Sequence, residues 1–149
     1  RERTTLQLIA AQVATTPNHV ALRAAGIDIT YDQLWQRAGQ LAAALRGQGV
    51  GRGVRVGVCL ERTPDLVVAL LAVWRADAIY VPLDPGFPPD RLVFVLRDSE
   101  AKLLIATAET SSLVAQAEVP QLAPDAHDDA PLPPPVPHRA GQDSSLSLE

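Results

Sequence analysis

The residues able to do chemistry are few and scattered. Cys59 is the single cysteine, and it stands inside an alternating run, Val54 to Leu60, that reads as a buried strand. A thiol placed there behaves as a small hydrophobe rather than a nucleophile. One cysteine also excludes an internal disulfide framework and a four-thiolate zinc site. His19 sits in a turn with no partner at ligand spacing. His127 stands among Asp125, Asp128 and Asp129, a set that reads as a solvated acidic stretch before it reads as a divalent-ion site. Gly47, Gly49, Gly51 and Gly53 invite a phosphate-loop reading. A Gly-x-Gly-x-x-Gly pattern would need glycine at Arg52 or Val54, and the run follows a helix and precedes a strand, the reverse of the dinucleotide fingerprint. It reads as a loop with a helix stop. Lys102 is not preceded by glycine, so it belongs to no P-loop. Pro131, Pro134 and Pro137 have the minimal spacing of an SH3 ligand, in a composition that reads as linker. What remains is Asp84, beside Pro85 at the carboxyl end of a strand, where ligands of open α/β sheets bind. A turn role beside Pro85 and Gly86 is equally open.

The elements that would position these residues follow from periodicity and punctuation. Thr4 and Gln7 have capping-box spacing, and Leu6, Ile9, Ala10 and Val13 follow at helical spacing up to Pro17. Val20–Leu22 and Ile27–Ile29 flank a turn with Gly26, predicting a hairpin. Thr30 and Gln33 form a second capping box, opening a helix whose face is Leu34, Ala38, Leu41, Ala42 and Leu45. Val54, Val56, Val58 and Leu60 alternate on one strand face. Thr63 can cap the next helix, with Pro64 at its first position and Asp65 at the positive dipole end. That helix, to about Ala76, is apolar nearly all round and should be buried. Ile79–Val81 is the next strand, completing a βαβ unit with parallel strands. Pro88 or Pro89 opens a further helix with Leu92, Val95 and Leu96 inward, and 101–107 is another strand. The fold class is α/β.

Composition sets the outer bounds. The chain has 149 residues, 47% hydrophobic and 20% charged, the balance of a soluble globular domain or part of one. Its longest apolar run, Leu66 to Trp74, is too short to cross a bilayer, so no membrane partner is expected. A net charge of −4 argues against nucleic acid. No leader pattern supports secretion, so a cytoplasmic location is expected. The absence of methionine predicts a piece of a longer chain. Residues 116–149 hold seven of the 13 prolines and six acids against one base, whereas 1–115 are charge-balanced. The expected division is therefore a folded part, 1–115, and a disordered Pro-rich acidic loop or tail, 116–149.

The segments in order resemble one family. Ile29 to Leu34 and the Ala-rich helix to Leu45 are similar to the first core motif of adenylation domains of nonribosomal peptide synthetases, of the adenylate-forming superfamily. Leu71 to Pro85 resembles the second core motif, and Phe87 to Leu92 follows in register. The opening, Gln12 to Pro17 with Val20 to Leu22, also looks like the start of that domain. The second motif usually has Gly where Asp77 stands and commonly Tyr where Phe87 stands. The resemblance covers about residues 3–137 and implies the N-terminal part of an enzyme that activates an amino acid with ATP and Mg2+. Such an enzyme makes an aminoacyl adenylate and pyrophosphate, then acylates the phosphopantetheine thiol of a carrier protein. The Lys-containing phosphate loop that should follow is not what 138–149 read, so the expectation is a truncated, inactive fragment with no catalytic, cofactor-binding or metal residue of its own. Its implied partners are the rest of the adenylation domain and a carrier domain. Strands missing from the sheets would leave the helix from Asp65 and the strands at 54–60 and 101–107 uncovered, predicting self-association. A non-catalytic interaction module on the same half-fold, or a fragment of an acyl-CoA or aryl-acid ligase, are the alternatives.

Overall fold

The computed structural model describes residues 2–24 and 26–127. The elements, in order, are α1 (Glu2–Thr15), β1 (Val20–Ala24), β2 (Ile27–Thr30), α2 (Tyr31–Gly47), β3 (Arg55–Cys59), α3 (Pro64–Arg75), β4 (Ile79–Pro82), α4 (Pro89–Asp98), β5 (Leu103–Ala106), the short α5 (Ala108–Ser111), a 3-10 turn (Ser112–Ala117) and β6 (Gln121–Leu122). β1 and β2 form the antiparallel hairpin, with Gly26 at φ 78° in its turn. β4, β3, β5 and β6 lie side by side in that order, all parallel. The class is α/β, as the periodicity predicts.

Strand β3 is the centre. Its two faces feed two cores. Val56, Val58 and Leu60 point to the side of α2 and α3, together with Leu103 and Ile105 of β5. Cys59 points to the side of α4, together with Leu83, Leu92, Leu96 and Leu104. Gly57 lies on that second face, and a Cβ there would stand 2.8 Å from Leu96 Cδ1, 3.2 Å from Leu83 Cδ1 and 3.3 Å from Leu104 Cδ1. The missing side chain is what lets α4 lie close to the sheet.

Local signals account for the helix ends. In α2, Gln33 N donates to Thr30 Oγ1 at 3.1 Å and Thr30 N to Gln33 Oε1 at 3.0 Å, the reciprocal box read from sequence. Two other caps differ from expectation. α1 begins at Glu2, so Thr4 lies within the helix rather than at its start. Thr63 occupies the N-cap of α3, but its side chain makes no capping bond; its carbonyl accepts from Leu66 N at 3.0 Å. Asp65 instead pairs with Arg37 of α2 at 2.6 Å. At the other end of α3, Arg75 lies 4.1 Å over the Trp35 ring and donates to the Trp35 carbonyl at 3.0 Å. Burial, and then the Arg46 charge, push the Arg75 guanidinium below its usual range. These two arginine contacts fix α3 against α2 at both ends.

Three expectations need correction. First, no residue from Pro64 to Ala76 is exposed, and β3 and β5 are interior strands buried on both faces, so this chain covers the apolar elements expected to lie open. Second, a division after residue 115 falls inside the 3-10 turn Ser112–Ala117. Beyond it, β6 pairs with Leu104 and Ile105, and Leu122 and Ala126 pack on the first core, so ordered structure continues to His127. Third, the strand read over 101–107 is narrower, Leu103–Ala106. Asp128, Asp129 and the Pro131–Pro137 stretch lie outside the described residues. Among the described residues no helix is long and apolar enough to cross a membrane.

Asp77 sits in the left-handed region at φ 62°, closing α3, with its carboxylate 3.5 Å from Arg52 Nε. Asp tolerates that conformation better than most residues but less freely than glycine. Two stability measurements follow. Gly57→Ala should lower unfolding free energy in urea by about 1–3 kcal/mol through overpacking, while Gly51→Ala, with open space around it, changes it by less than about 0.5 kcal/mol. Asp77→Gly should leave stability equal or higher, and Asp77→Val should cost about 1–2 kcal/mol.

Candidate functional site

The carboxyl ends of β3 and β4 frame a cleft of about 210 Å³, lined by Leu60, Glu61, Arg62, Leu66, Tyr80, Pro82 and Asp84 among others. The parallel ladder builds it: Leu83 N donates to the Val58 carbonyl at 3.0 Å, holding the two chain exits side by side. Leu66 comes from the first turn of α3 and Tyr80 from β4. Glu61, Arg62 and Asp84 are exposed at the mouth. This is the edge where sequence reasoning places Asp84. The other rim residues carry no spacing signal beyond following a strand.

The bonding of Asp84 resolves its two readings toward the turn. Its Oδ1 accepts from Gly86 N at 2.9 Å, and its carbonyl accepts from Phe87 N at 3.0 Å. The carboxylate thus anchors the Asp84–Phe87 turn that leads into α4. Cys59 lies just below the edge, fully buried. Burial first, then the charges of Glu61 and Asp84, push its thiol up to about 11. Burial likewise raises the Tyr80 phenol. Neither is ionised near neutrality.

The other candidates are dispersed. The loop holding Gly49, Gly51 and Gly53 joins α2 to β3 at the opposite, amino edge, where Gly53 N donates to the Asp77 carbonyl at 3.4 Å. Gly49 and Gly53 take positive φ, as a helix stop and a turn require. His19 is exposed, and its backbone joins the turn before β1, accepting from Tyr31 N at 3.0 Å. His127 Nδ1 lies 3.3 Å from the Asp125 carbonyl. Lys102 is an exposed residue whose backbone N–H bonds Arg55 O at 2.9 Å. Among the described residues no group of three or more His, Cys, Asp or Glu could hold a metal ion. The sequence reading missed a capping box at the end of β5, where Thr107 and Thr110 bond reciprocally to open α5.

The thiol gives a direct check of this edge. Cys59 should react with a thiol reagent at pH 8 at least about 100-fold more slowly in the folded chain than in urea, because almost none of it is thiolate. Its raised value also sets a sign: protonated Cys59 stabilises the fold below pH 9, and that contribution is lost as pH rises from 9 towards 11. A Cys59→Ala variant should flatten this alkaline loss in a pH series of urea melts.

Comparison with known proteins places the arrangement. The family described as AMP-binding enzyme matches residues 9–145, beyond Pro137. Tyrocidine synthase 3 of Brevibacillus parabrevis is 39% identical over 122 residues, which is 80% of this chain and 2% of that protein. The solved structure of holo-AB3403, a four-domain nonribosomal peptide synthetase bound to AMP and glycine, superposes with a TM-score of 0.74 at 33% identity, covering 84% of this chain and 9% of that one. The N-terminal subdomain of Klebsiella oxytoca NpsA, in complex with 3-hydroxyanthranilyl-AMSN, superposes with a TM-score of 0.70 at 28% identity, covering 79% of this chain and 30% of that one. The chain spans only a small part of each of these proteins. The fold, the order of its motifs and these matches agree that the chain belongs to the AMP-binding enzyme family, as the N-terminal part of a nonribosomal peptide synthetase adenylation domain.

Proposed function

We propose that this chain is the N-terminal scaffold of an amino-acid-activating adenylation domain and is inactive by itself. In the parent, an amino acid and ATP give an aminoacyl adenylate and pyrophosphate, and the acyl group passes to the phosphopantetheine thiol of a carrier domain. The parent works in the cytoplasm, with Mg2+ accompanying ATP. The observation that supports this reading is the family match over 9–145 on a chain whose second core motif, α3 with Asp77 and β4, is packing and turn geometry.

The residues present do not fit the nucleotide or its metal. The cleft of about 210 Å³ lies below the about 300–1,000 Å³ usual for small-molecule sites. Glu61 and Asp84 share its mouth with Arg62, so its charge is mixed rather than selective for phosphate; among the described residues no group of three metal-ligating side chains stands there, and Asp84 is bonded into its own turn. No chemical step is assigned to these side chains. Their work is to hold strands β3, β4 and β5 in register for segments supplied elsewhere in the parent.

A second reading has a specific observation behind it. The NpsA subdomain is in complex with 3-hydroxyanthranilyl-AMSN, so a parent that activates an aryl acid is the alternative substrate class. A non-catalytic interaction module on the same half-fold is the alternative of a different kind. Amino-acid-dependent ATP–pyrophosphate exchange by the chain alone tests the inactivity that all three readings share. The chain alone should give no exchange above a no-enzyme control with any amino acid or aryl acid. Exchange by the chain alone would overturn the scaffold reading. A coding sequence that continues into a Gly-rich, Lys-containing loop supports the parent enzyme, and a natural stop with independent expression supports the module.

A further inference from the structure

The chain has two phenylalanines, and both stand on the outer side of the α4 segment: Phe87 is 47% exposed and Phe94 64%. Buried Leu92 and Leu96 fix the inward face of α4. At 3.6 residues per turn, Phe94 then lies at the middle of the outward face. Asp90 and Arg97 flank it on one side, and Arg91 and Asp98 on the other, all four exposed. Arg91 also lies 5.7 Å over the Phe87 ring. Asp90, Arg91 and Asp98 make no ion pair among the described residues, while Arg97 donates one guanidinium N–H to the Gln116 carbonyl at 2.5 Å and keeps its other donors for a second copy. Exposed aromatic anchors ringed by charge are the composition of an interface centre rather than of a solvated helix.

The charge pattern is self-complementary. Along the axis, Asp90 lies about 6 Å before Phe94 and Arg97 about 4.5 Å after it; Arg91 and Asp98 have the mirrored offsets of about 4.5 Å and about 6 Å. Rotating a second copy by a two-fold axis through Phe94, perpendicular to the helix, brings each flank against the same flank running backwards. Asp90 then meets Arg97 of the second copy, Arg91 meets Asp98, and the two Phe94 rings meet at the axis. Opposed helix dipoles favour the same antiparallel arrangement. We propose that the outer face of α4 is a homotypic docking surface that pairs two copies of this chain antiparallel about Phe94. This surface replaces the uncovered sheet as the site of association, and it is independent of the activity proposed for the parent. One helix and its leading turn bury less than the about 1,200 Å² of a standard interface, so the pairing is weak and transient.

Sedimentation equilibrium of the full chain at about 0.1–1 mM tests it. The wild-type chain should show reversible dimerisation, and Phe94→Glu should abolish it. Arg91→Asp and Asp98→Arg should each weaken it at least about tenfold, since each places like charges face to face twice. The double variant Arg91→Asp/Asp98→Arg should restore wild-type association, and an equimolar mixture of the two single variants should form a mixed dimer. Circular dichroism melts should be unchanged throughout, because the altered side chains are exposed. A parallel pairing would set position 91 against Asp90 and position 98 against Arg97, so the double variant would associate worse than either single one. That result, a wild-type chain monomeric to about 1 mM, or association indifferent to the charge reversals would each overturn the proposal.

Discussion

The burial of β3 on both faces is the constraint on which the rest depends. A parallel strand in the middle of a sheet must be apolar above and below, and each face must find its own cover. Val56 and Val58 find it in α2 and α3, while Gly57 and Cys59 find it in α4. The two faces are not alike. The first is filled by branched side chains, and the second is emptied at Gly57 so that Leu83, Leu96 and Leu104 can converge there. Register follows from this asymmetry, because a slip of one residue would put a valine where only a hydrogen fits. The carboxyl edge, with Asp84 and its turn, stands where it does because that register is fixed.

Much of this was legible in the chain, and the reasons differ from element to element. The alternation from Val54 to Leu60 and the near-uniform apolarity from Leu66 to Trp74 mark a central strand and a covered helix without further knowledge. Thr30 and Gln33 mark a true helix start because hairpin and helix patterns meet there, whereas the same spacing at Thr4 and Gln7 marks nothing, since the helix already runs from Glu2. The spacing of a capping box is four residues long and says nothing of what precedes it. β6 was hidden for the opposite reason. A strand of two residues, Gln121 and Leu122, has no period, and only the free edge of β5 tells them to extend. The role of Gly57 was likewise invisible, because it depends on three leucines from three distant segments.

The candidate site shows where local reading ends. The sequence puts Asp84 at the right edge, but only the bond to Gly86 N shows that its carboxylate is engaged in a turn. Cys59 reads in the sequence as a buried hydrophobe, and burial and two neighbouring carboxylates push its thiol up to about 11, in agreement. The glycines between α2 and β3 lie at the far edge, serving the helix stop. The second core motif of the family is represented here by α3, its left-handed Asp77 and β4, all of which are packing and turn geometry.

On the proposed reading this chain is a scaffold whose order is set by β3 and whose chemistry is supplied by other segments of the parent. Titration of the chain with ATP and Mg2+ by isothermal calorimetry, with amide chemical shifts followed in parallel, tests that claim most directly. The account predicts no saturable heat at millimolar nucleotide and no shift changes clustered at the ends of β3, β4 and β5. Saturable binding at micromolar nucleotide, with shifts centred on Glu61 and Asp84, would contradict it.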